Sequence, residues 1–138
     1  MKDRGPVSNV QSVIAGGCRF CKLISEMSLL TIGTVAIMED AYPVSPGHRL
    51  IVPLRHIVDY FAMNSNEKCD SDRAILLLRT ELLNSDPLIE GFNIGTNAGE
   101  VAGQTIAHAH IHLIPRRRGD TPLPQGGVRG VIPERMQY

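Results

Sequence analysis

Long apolar runs, an excess of charge and a large number of cysteines are all missing from this sequence of 138 residues. No run approaches the length needed to cross a bilayer, and residues 1–12 lack the continuous apolar segment of a secretory signal. The 14 basic residues balance the 14 acidic ones, so nothing demands a nucleic acid or a membrane as partner. We therefore expect a soluble, cytoplasmic protein.

Three cysteines suit a reducing compartment better than a disulfide framework. Cys18 and Cys21 are separated by two residues, which is the spacing of a zinc thiolate pair. A structural zinc site would need two further ligands from elsewhere in the chain. Two ordinary buried cysteines are the alternative interpretation.

The length of the chain favours one domain with a single core. We expect residues 1–14 to form a disordered or frayed tail and residues 15–138 to form the domain. Apolar periodicity predicts a short helix over 18–25 and a longer one over 71–83, with Asp72 near its start. Residue types typical of strands occur at 34–38, 50–52, 92–96 and 107–114. The predicted fold class is α+β, with a mainly antiparallel sheet and helices packed on one face.

Three histidines alternate with apolar residues in the last of these strands. There His108, His110 and His112 would face one side, and the residues between them would face the core. At about 3.3 Å of rise per residue, the first and third side chains start roughly 13 Å apart, too far for one small ion. An adjacent pair could share a metal. A phosphate is the natural partner of the other imidazoles, which can donate to its oxygens or attack its phosphorus.

A glycine-rich loop from Asn97 to Thr105 directly precedes these histidines. Its glycines allow the main chain to approach a ligand closely, and its amides could form an anion-binding nest. Its polar side chains include Asn97, Gln104 and Thr105, which are therefore candidates for contacting a phosphate. A plain surface turn is the alternative, but the position before the histidines favours a phosphate site.

Residues 97–116 resemble the histidine-triad (HIT) superfamily, above all in the run AGQTIAHAHIHLIPR over 102–116. Supporting matches are PGHRLIVP at 46–53, RHI at 55–57 and CRFCKL at 18–23. The resemblance implies a HIT-like five-stranded sheet. It also implies a nucleotide hydrolase of the Hint-like or bacterial HIT-like branch, acting through a nucleotidyl-histidine intermediate.

The resemblance implies roles for individual residues. His110 matches the nucleophile, and His108 and His112 complete the catalytic triad. The matching nucleotide-binding positions are Asp40 for the ribose hydroxyls, Phe20 and Leu23 for the base pocket, and Asn97, Gly103, Thr105 and His112 for the phosphate. The alternatives are loop capping for Asp40 and core packing for Phe20 and Leu23.

Some HIT proteins with an N-terminal cysteine pair have a Cys2His2 zinc site, which here maps onto Cys18, Cys21, His56 and His108. His48 would then form a hydrogen bond in the core near the active site. The resemblance also implies a purine nucleotide substrate and a homodimer formed through a helix and a sheet edge. No organic cofactor is expected.

Several functions remain open at this point. Hydrolysis of nucleoside phosphoramidates or related nucleotide conjugates is favoured, because Asn97 lies where Fhit-like dinucleoside polyphosphate hydrolases carry Gln. The uridylyltransferase branch has Gln in place of the third histidine, so His112 favours hydrolysis. An adaptor that binds nucleotides with little turnover is opposed by the intact His110. Nucleic-acid binding through the arginines at 116–118 is disfavoured by the zero net charge.

Overall fold

The computed structural model describes residues 17–138, which contain two α-helices and five strands. In chain order these are α1 (Arg19–Glu26), β1 (Leu30–Ile32), β2 (Val35–Glu39), β3 (Arg49–Pro53), α2 (Ser65–Ser85), β4 (Ile89–Gly95) and β5 (Ile111–Arg117). The tail predicted over 1–14 lies outside the described residues. Neither helix in the described part of the chain has the length and apolar character to span a bilayer.

The strands form one antiparallel sheet in the order β1-β2-β3-β5-β4. This confirms the α+β class and the five-stranded antiparallel sheet. Strand β3 pairs with β2 on one side and with β5 on the other, so β5 lies inside the sheet and β1 and β4 form its edges. The strands predicted over 34–38 and 50–52 correspond to β2 and β3, which pair with each other.

Helix α2 covers one face of the sheet. Its buried side chains Ala74, Leu78 and Leu82 belong to a cluster with apolar residues of β2, β3 and β5. The helix begins well before residue 71, because Asn64 and Glu67 form a capping box with two hydrogen bonds of 2.8 Å. Asp72 therefore lies inside the helix. The buried residues of its first turns, Glu67 and Ser71, are polar, which is why apolar periodicity predicted a shorter element.

Helix α1 packs on the opposite face. Phe20 is buried there with Met38, Leu50 and Val52, whose side chains alternate along β2 and β3 with those under α2. The placement of α1 thus differs from the expectation that the helices share one face. Both sides of these central strands are apolar, so each side requires its own cover.

The histidine segment enters the sheet later than predicted, because β5 begins at Ile111 instead of residue 107. Before that point the Ala109 amide donates to the carbonyl of Ile57 (2.8 Å), in the loop after β3, and so lies outside the strand ladder. The predicted alternation is nevertheless present. Ala109, Ile111 and Leu113 are buried in the cluster under α2, which leaves the histidines facing the side of α1.

The turn between β1 and β2 is fastened to α2 through Asp70. One oxygen of this carboxylate accepts hydrogen bonds from Thr34 N (2.8 Å) and Thr34 Oγ1 (2.7 Å). Gly33 has a φ of +56°, and a Cβ at this position would collide with the Asp70 carboxylate. The turn therefore requires glycine for both its backbone angle and its contact.

We predict that Gly33→Ala lowers the free energy of unfolding by about 1 to 3 kcal/mol, measured by urea denaturation. Gly91→Ala is the matched control, because nothing lies within 4 Å of a Cβ added to that residue of β4. Its effect should be smaller than that of Gly33→Ala. Equal stability of the two variants would contradict the prediction.

Candidate functional site

The imidazoles of His108, His110 and His112 lie in a row on the α1 side of the sheet. The ring centroids of His110 and His112 are 5.2 Å apart, and Phe20 contacts the rings of His108 and His110 edge to face. His108 is fully buried, His110 is 8% exposed and the His112 side chain is 23% exposed. The row therefore approaches solvent at its His112 end.

His110 is oriented by main-chain contacts. Its Nδ1 lies 2.8 Å from the carbonyl oxygen of His108. A carbonyl can only accept, so Nδ1 carries the proton and, in the neutral ring, Nε2 carries the lone pair. The carbonyl of His110 in turn accepts a hydrogen bond of 2.6 Å from Thr96 Oγ1. This arrangement leaves Nε2 as the nitrogen that can attack an electrophile.

A chain of hydrogen bonds sets the tautomer of His112. The Val44 amide donates to His48 Nδ1 (3.0 Å), so the proton of neutral His48 is on Nε2. His48 Nε2 then donates to His112 Nδ1, 2.9 Å away. The proton of His112 must therefore be on its Nε2. Burial, together with His110 and His48, lowers the pKa of His112 to about 4, so its ring is a neutral N–H donor at pH 7.

Asp40 makes two kinds of contact. Its Oδ1 accepts a hydrogen bond from the Tyr42 amide (2.8 Å), which is the loop-capping alternative. Its Oδ2 lies 3.5 Å from His48 Nε2 and 3.8 Å from His112 Nδ1. The carboxylate thus caps the loop after β2 and also faces the histidine pair.

A cavity of about 740 Å³ opens beside the His112 end of the row. Its volume lies in the range of small-molecule sites. The side chains that line it include Asp40, His48, Asn97 and His112, with Val128 and Val131 from the C-terminal segment on another wall.

The loop over 97–105 contains a short 3₁₀ turn, Glu100–Ala102, between two glycines with positive φ. The Gln104 side chain braces this loop. Its Oε1 accepts from the Gly99 amide (2.9 Å), and its Nε2 donates to the carbonyls of Val58 (2.6 Å) and Ile106 (3.0 Å). Both amide protons of Gln104 are thus used by the main chain, which favours a role in holding the loop. Thr105 is exposed.

Phe20 and Leu23 lie in the apolar cluster under α1. Phe20 is only 4% exposed and packs against two rings of the histidine row. This environment favours the core-packing alternative for Phe20. Leu23 is partly buried at the edge of the same cluster.

A second group of side chains could hold a metal ion. The ligand atoms of Cys18, Cys21, His56 and His108 all lie within 4.8 Å of one another. Four of their separations are short: 3.4 and 3.5 Å from His108 Nδ1 to Cys18 Sγ and Cys21 Sγ, and 3.1 and 3.2 Å from His56 Nδ1 to Cys21 Sγ and His108 Nδ1. In a tetrahedral site with bonds of about 2.1 Å to nitrogen and 2.3 Å to sulfur, ligand atoms lie about 3.4 to 3.8 Å apart. The group is close to that shape.

The protonation of His108 fits a metal ligand. Its Nε2 lies 2.8 Å from the carbonyl of Pro53, so Nε2 is the donor and the lone pair of Nδ1 faces the two cysteines and His56. Burial lowers the pKa of His108 to about 4, which keeps the ring neutral. Burial and the neighbouring Cys18 raise the pKa of the Cys21 thiol to about 11. A bound dication would reverse this shift, because it favours the thiolate.

The three arginines considered for nucleic-acid binding each pair with a carboxylate of the same chain. Arg116 contacts Asp120 at 2.7 Å, Arg117 contacts Asp86 at 2.8 Å and Arg118 contacts Glu90 at 2.7 Å. Their charge is therefore largely offset within the fold.

Sequence reasoning missed two groups that orient the histidine row. Thr96 holds the carbonyl of His110, and Pro53 supplies the carbonyl that holds His108. Thr96 is the last residue of the strand predicted over 92–96, but nothing in its local pattern indicates its partner. The contact from Pro53 is made by a main-chain atom, which residue type does not reveal.

Comparison with known proteins supports the same architecture. A model of the HIT domain matches residues 24–119. A HIT-like protein of Methanocaldococcus jannaschii is 32% identical over 118 residues, covering 80% of this chain and 87% of that protein. The adenosine 5'-monophosphoramidase of Candida albicans is 29% identical over 116 residues, covering 79% of this chain and 76% of that protein.

The AP-4-A phosphorylase of Mycobacterium tuberculosis is 34% identical over 105 residues, which are 71% of this chain but only 51% of that longer protein. Two solved structures are similar in fold. A HIT family protein from Bacillus anthracis has a TM-score of 0.69 and 30% identity, covering 76% of this chain and 77% of its own. A Zn-bound histidine triad family protein from Mycobacterium smegmatis has a TM-score of 0.67 and 29% identity, covering 75% and 78%. The chain belongs to the HIT family, because it has the row of three histidines and the HIT domain model matches more than half of its length.

Proposed function

We propose that the chain hydrolyses nucleoside phosphoramidates or related nucleotide conjugates through a nucleotidyl intermediate on His110. The observation that carries this proposal is the fixed tautomer of His110, whose Nδ1 donates to the His108 carbonyl and leaves Nε2 free. Among the relatives, the Candida albicans protein is named as an adenosine 5'-monophosphoramidase. A nucleotide hydrolase is the kind of enzyme that the family supports.

In the first step the Nε2 lone pair of His110 attacks the α-phosphorus. The bond to the leaving group breaks, and the leaving group departs with its electron pair and takes up a proton from water. The imidazole becomes positively charged, and the hydrogen bond from Nδ1 to the His108 carbonyl stabilises that charge. Water then attacks phosphorus, the bond to Nε2 breaks, and a nucleoside monophosphate is released.

His112 supports this reaction as a donor. Its Nε2 proton is fixed by the His48 chain and is available to a phosphate oxygen as negative charge develops. In the proposal Asn97, Gly103 and Thr105 contact the phosphate and Asp40 contacts the ribose of a purine nucleotide. The Oδ2 atom of Asp40 is available for the ribose contact, because the loop cap uses only Oδ1.

Hydrolysis of a dinucleoside polyphosphate is the second candidate. It is favoured by the similarity to the AP-4-A phosphorylase, although this chain spans about half the length of that protein. An adaptor with little turnover would not require a nucleophile with a fixed tautomer, so the His110 geometry argues against it.

Zinc is the metal proposed for Cys18, Cys21, His56 and His108. The set offers two sulfurs and two nitrogens near tetrahedral separations, which suit Zn²⁺. Four protein ligands would close the site, so the ion would contribute to folding stability.

A homodimer is proposed on the basis of exposed apolar surface. Leu76 and Leu77 on α2 are 65% and 51% exposed, and Ile94 on the edge strand β4 is 49% exposed. A second copy that paired along this helix and edge would remove these side chains from water.

We predict that His110→Ala lowers the turnover of adenosine phosphoramidate by at least about a thousandfold, because the attacking nitrogen is lost. Binding of AMP should remain within about tenfold, since the phosphate donors stay in place. Stopped assays and calorimetry measure the two effects. Wild-type protein quenched with substrate should carry an acid-labile nucleotidyl adduct on His110. The control Cys69→Ser changes an exposed helix residue and should retain full activity.

Retention of more than about a tenth of the wild-type rate in His110→Ala would exclude covalent catalysis at this residue. If the protein neither binds AMP nor hydrolyses adenosine phosphoramidate but cleaves a dinucleoside polyphosphate, the second candidate replaces the first.

Elemental analysis of gently purified protein should find about one zinc per chain, the stoichiometry of a single four-ligand site. Cys18→Ser should lose the metal and melt at a lower temperature, while Cys69→Ser should keep both properties. The site would be refuted if the wild-type protein contained no zinc and Cys18→Ser melted at the same temperature as wild type.

Light scattering at micromolar concentration should give about twice the 15.1 kDa chain mass. Replacing Leu76 and Leu77 with Lys should shift the protein to the monomer, because charge would have to be buried in the interface. A wild-type mass equal to one chain is the result that would remove this proposal.

A further inference from the structure

We infer that the four-residue metal centre positions the nucleophile: each segment that supplies a ligand also contacts His110 or the peptide that orients it. The inference rests on the proposed role of His110 in hydrolysis. It concerns what Cys18, Cys21, His56 and His108 do for the neighbouring ring, beyond their contribution to folding.

The first connection runs through His108. Its ring is fastened at both nitrogens, with Nε2 donating to the carbonyl of Pro53 (2.8 Å) and Nδ1 facing the other three ligands. The main-chain oxygen of the same residue accepts the proton of His110 Nδ1 at 2.8 Å. A ring held at two points restricts the backbone from which it extends. Metal binding at Nδ1 therefore restricts the oxygen that selects the tautomer of His110.

The second connection runs through α1. Cys18 is the N-cap of this helix, its Sγ accepts from the Cys21 amide (3.3 Å), and Phe20 lies between the two cysteines in sequence. The Phe20 ring packs edge to face on His110, with centroids 5.1 Å apart. A metal bound to both thiolates would hold the first turn of α1, and with it the ring that supports His110.

The third connection runs through His56. The next residue, Ile57, accepts the amide of Ala109 with its carbonyl at 2.8 Å. Ala109 lies between His108 and His110. A metal ion bound to His56 would therefore restrain Ile57. Through the hydrogen bond from Ala109, it would also restrain the peptide whose oxygen accepts from His110.

The other end of the histidine row is held independently of these ligands. His112 receives its hydrogen bond from His48, the residue before β3, and His48 is held by the Val44 amide. Removal of the metal should therefore loosen His110 and leave His112 as it is. This difference separates positioning from general loss of structure, because the two rings are 5.2 Å apart.

Nitrogen NMR of the ¹⁵N-labelled chain tests the inference without an activity assay. With zinc bound, His110 should show a single tautomer with the proton on Nδ1. After zinc is removed with a chelator, His110 should show a mixture of both tautomers, whereas His112 should keep its proton on Nε2. A single, unchanged His110 tautomer in the zinc-free, folded chain would overturn the inference, and so would equal loss of order at His112.

Kinetics of Cys21→Ser provide the second test. This variant keeps three ligands and should lower kcat about tenfold or more, with KM within about twofold, because the nucleophile is misplaced and the cavity is intact. Cys69→Ser is the matched control, because it makes the same chemical change at an exposed cysteine of α2 outside the ligand set, and it should change neither constant. Equal kcat values in the two variants would contradict the inference.

A third measurement is the equilibrium competition for zinc between the protein and a chelator. Coupling between two binding sites is reciprocal in free energy, so AMP bound against His110 should lower the apparent Kd for zinc by about fivefold. In His110→Ala, AMP should have no such effect, and an equal change in both proteins would overturn the inference. Failure of the proposed function is distinguishable, because it would show as a missing nucleotidyl adduct while the tautomer measurement still decides the positioning.

Discussion

The carbonyl oxygen of His108 accepts the ring proton of the histidine two residues later, and the surrounding fold prevents this oxygen from turning away. The His108 side chain is buried and bonded to the end of β3, and the amide of Ala109 is bonded to the loop that follows β3. The peptide between them is thus restrained on both sides. Backbone geometry therefore selects which nitrogen of His110 carries the lone pair, with no charged group required to orient the ring.

Neutral groups dominate the surroundings of this peptide. Burial lowers the pKa values of His108 and His112 to about 4 and also lowers the pKa of His48, so these rings are uncharged at neutral pH. The arginines at 116–118, which end β5 and follow it, are paired with carboxylates. An anionic substrate would consequently be received by N–H donors of fixed direction more than by free positive charge. Such donors need little reorganisation when charge develops on the substrate.

Local periodicity predicted much of this molecule, and long-range contacts decided the rest. The alternation over 107–114 predicted that the three histidines face the same side of the sheet. This is because every second side chain of an extended chain points to the same side. The start of α2 depends on the Asn64 capping box, and the buried residues of its first turns, Glu67 and Ser71, are polar, so apolar spacing could not reveal them. The brace formed by Gln104 and the side of the sheet taken by α1 depend on residues distant in the chain.

The spread of the proposed metal ligands along the chain has a consequence for biosynthesis. Cys18 and His108 are 90 residues apart. During synthesis the two cysteines are made first, His56 follows, and His108 is the last of the four. His110, the proposed nucleophile, is added two positions later. A growing chain therefore exposes this ring only after every proposed ligand of the neighbouring centre has been synthesised, so the ring and its support become available together.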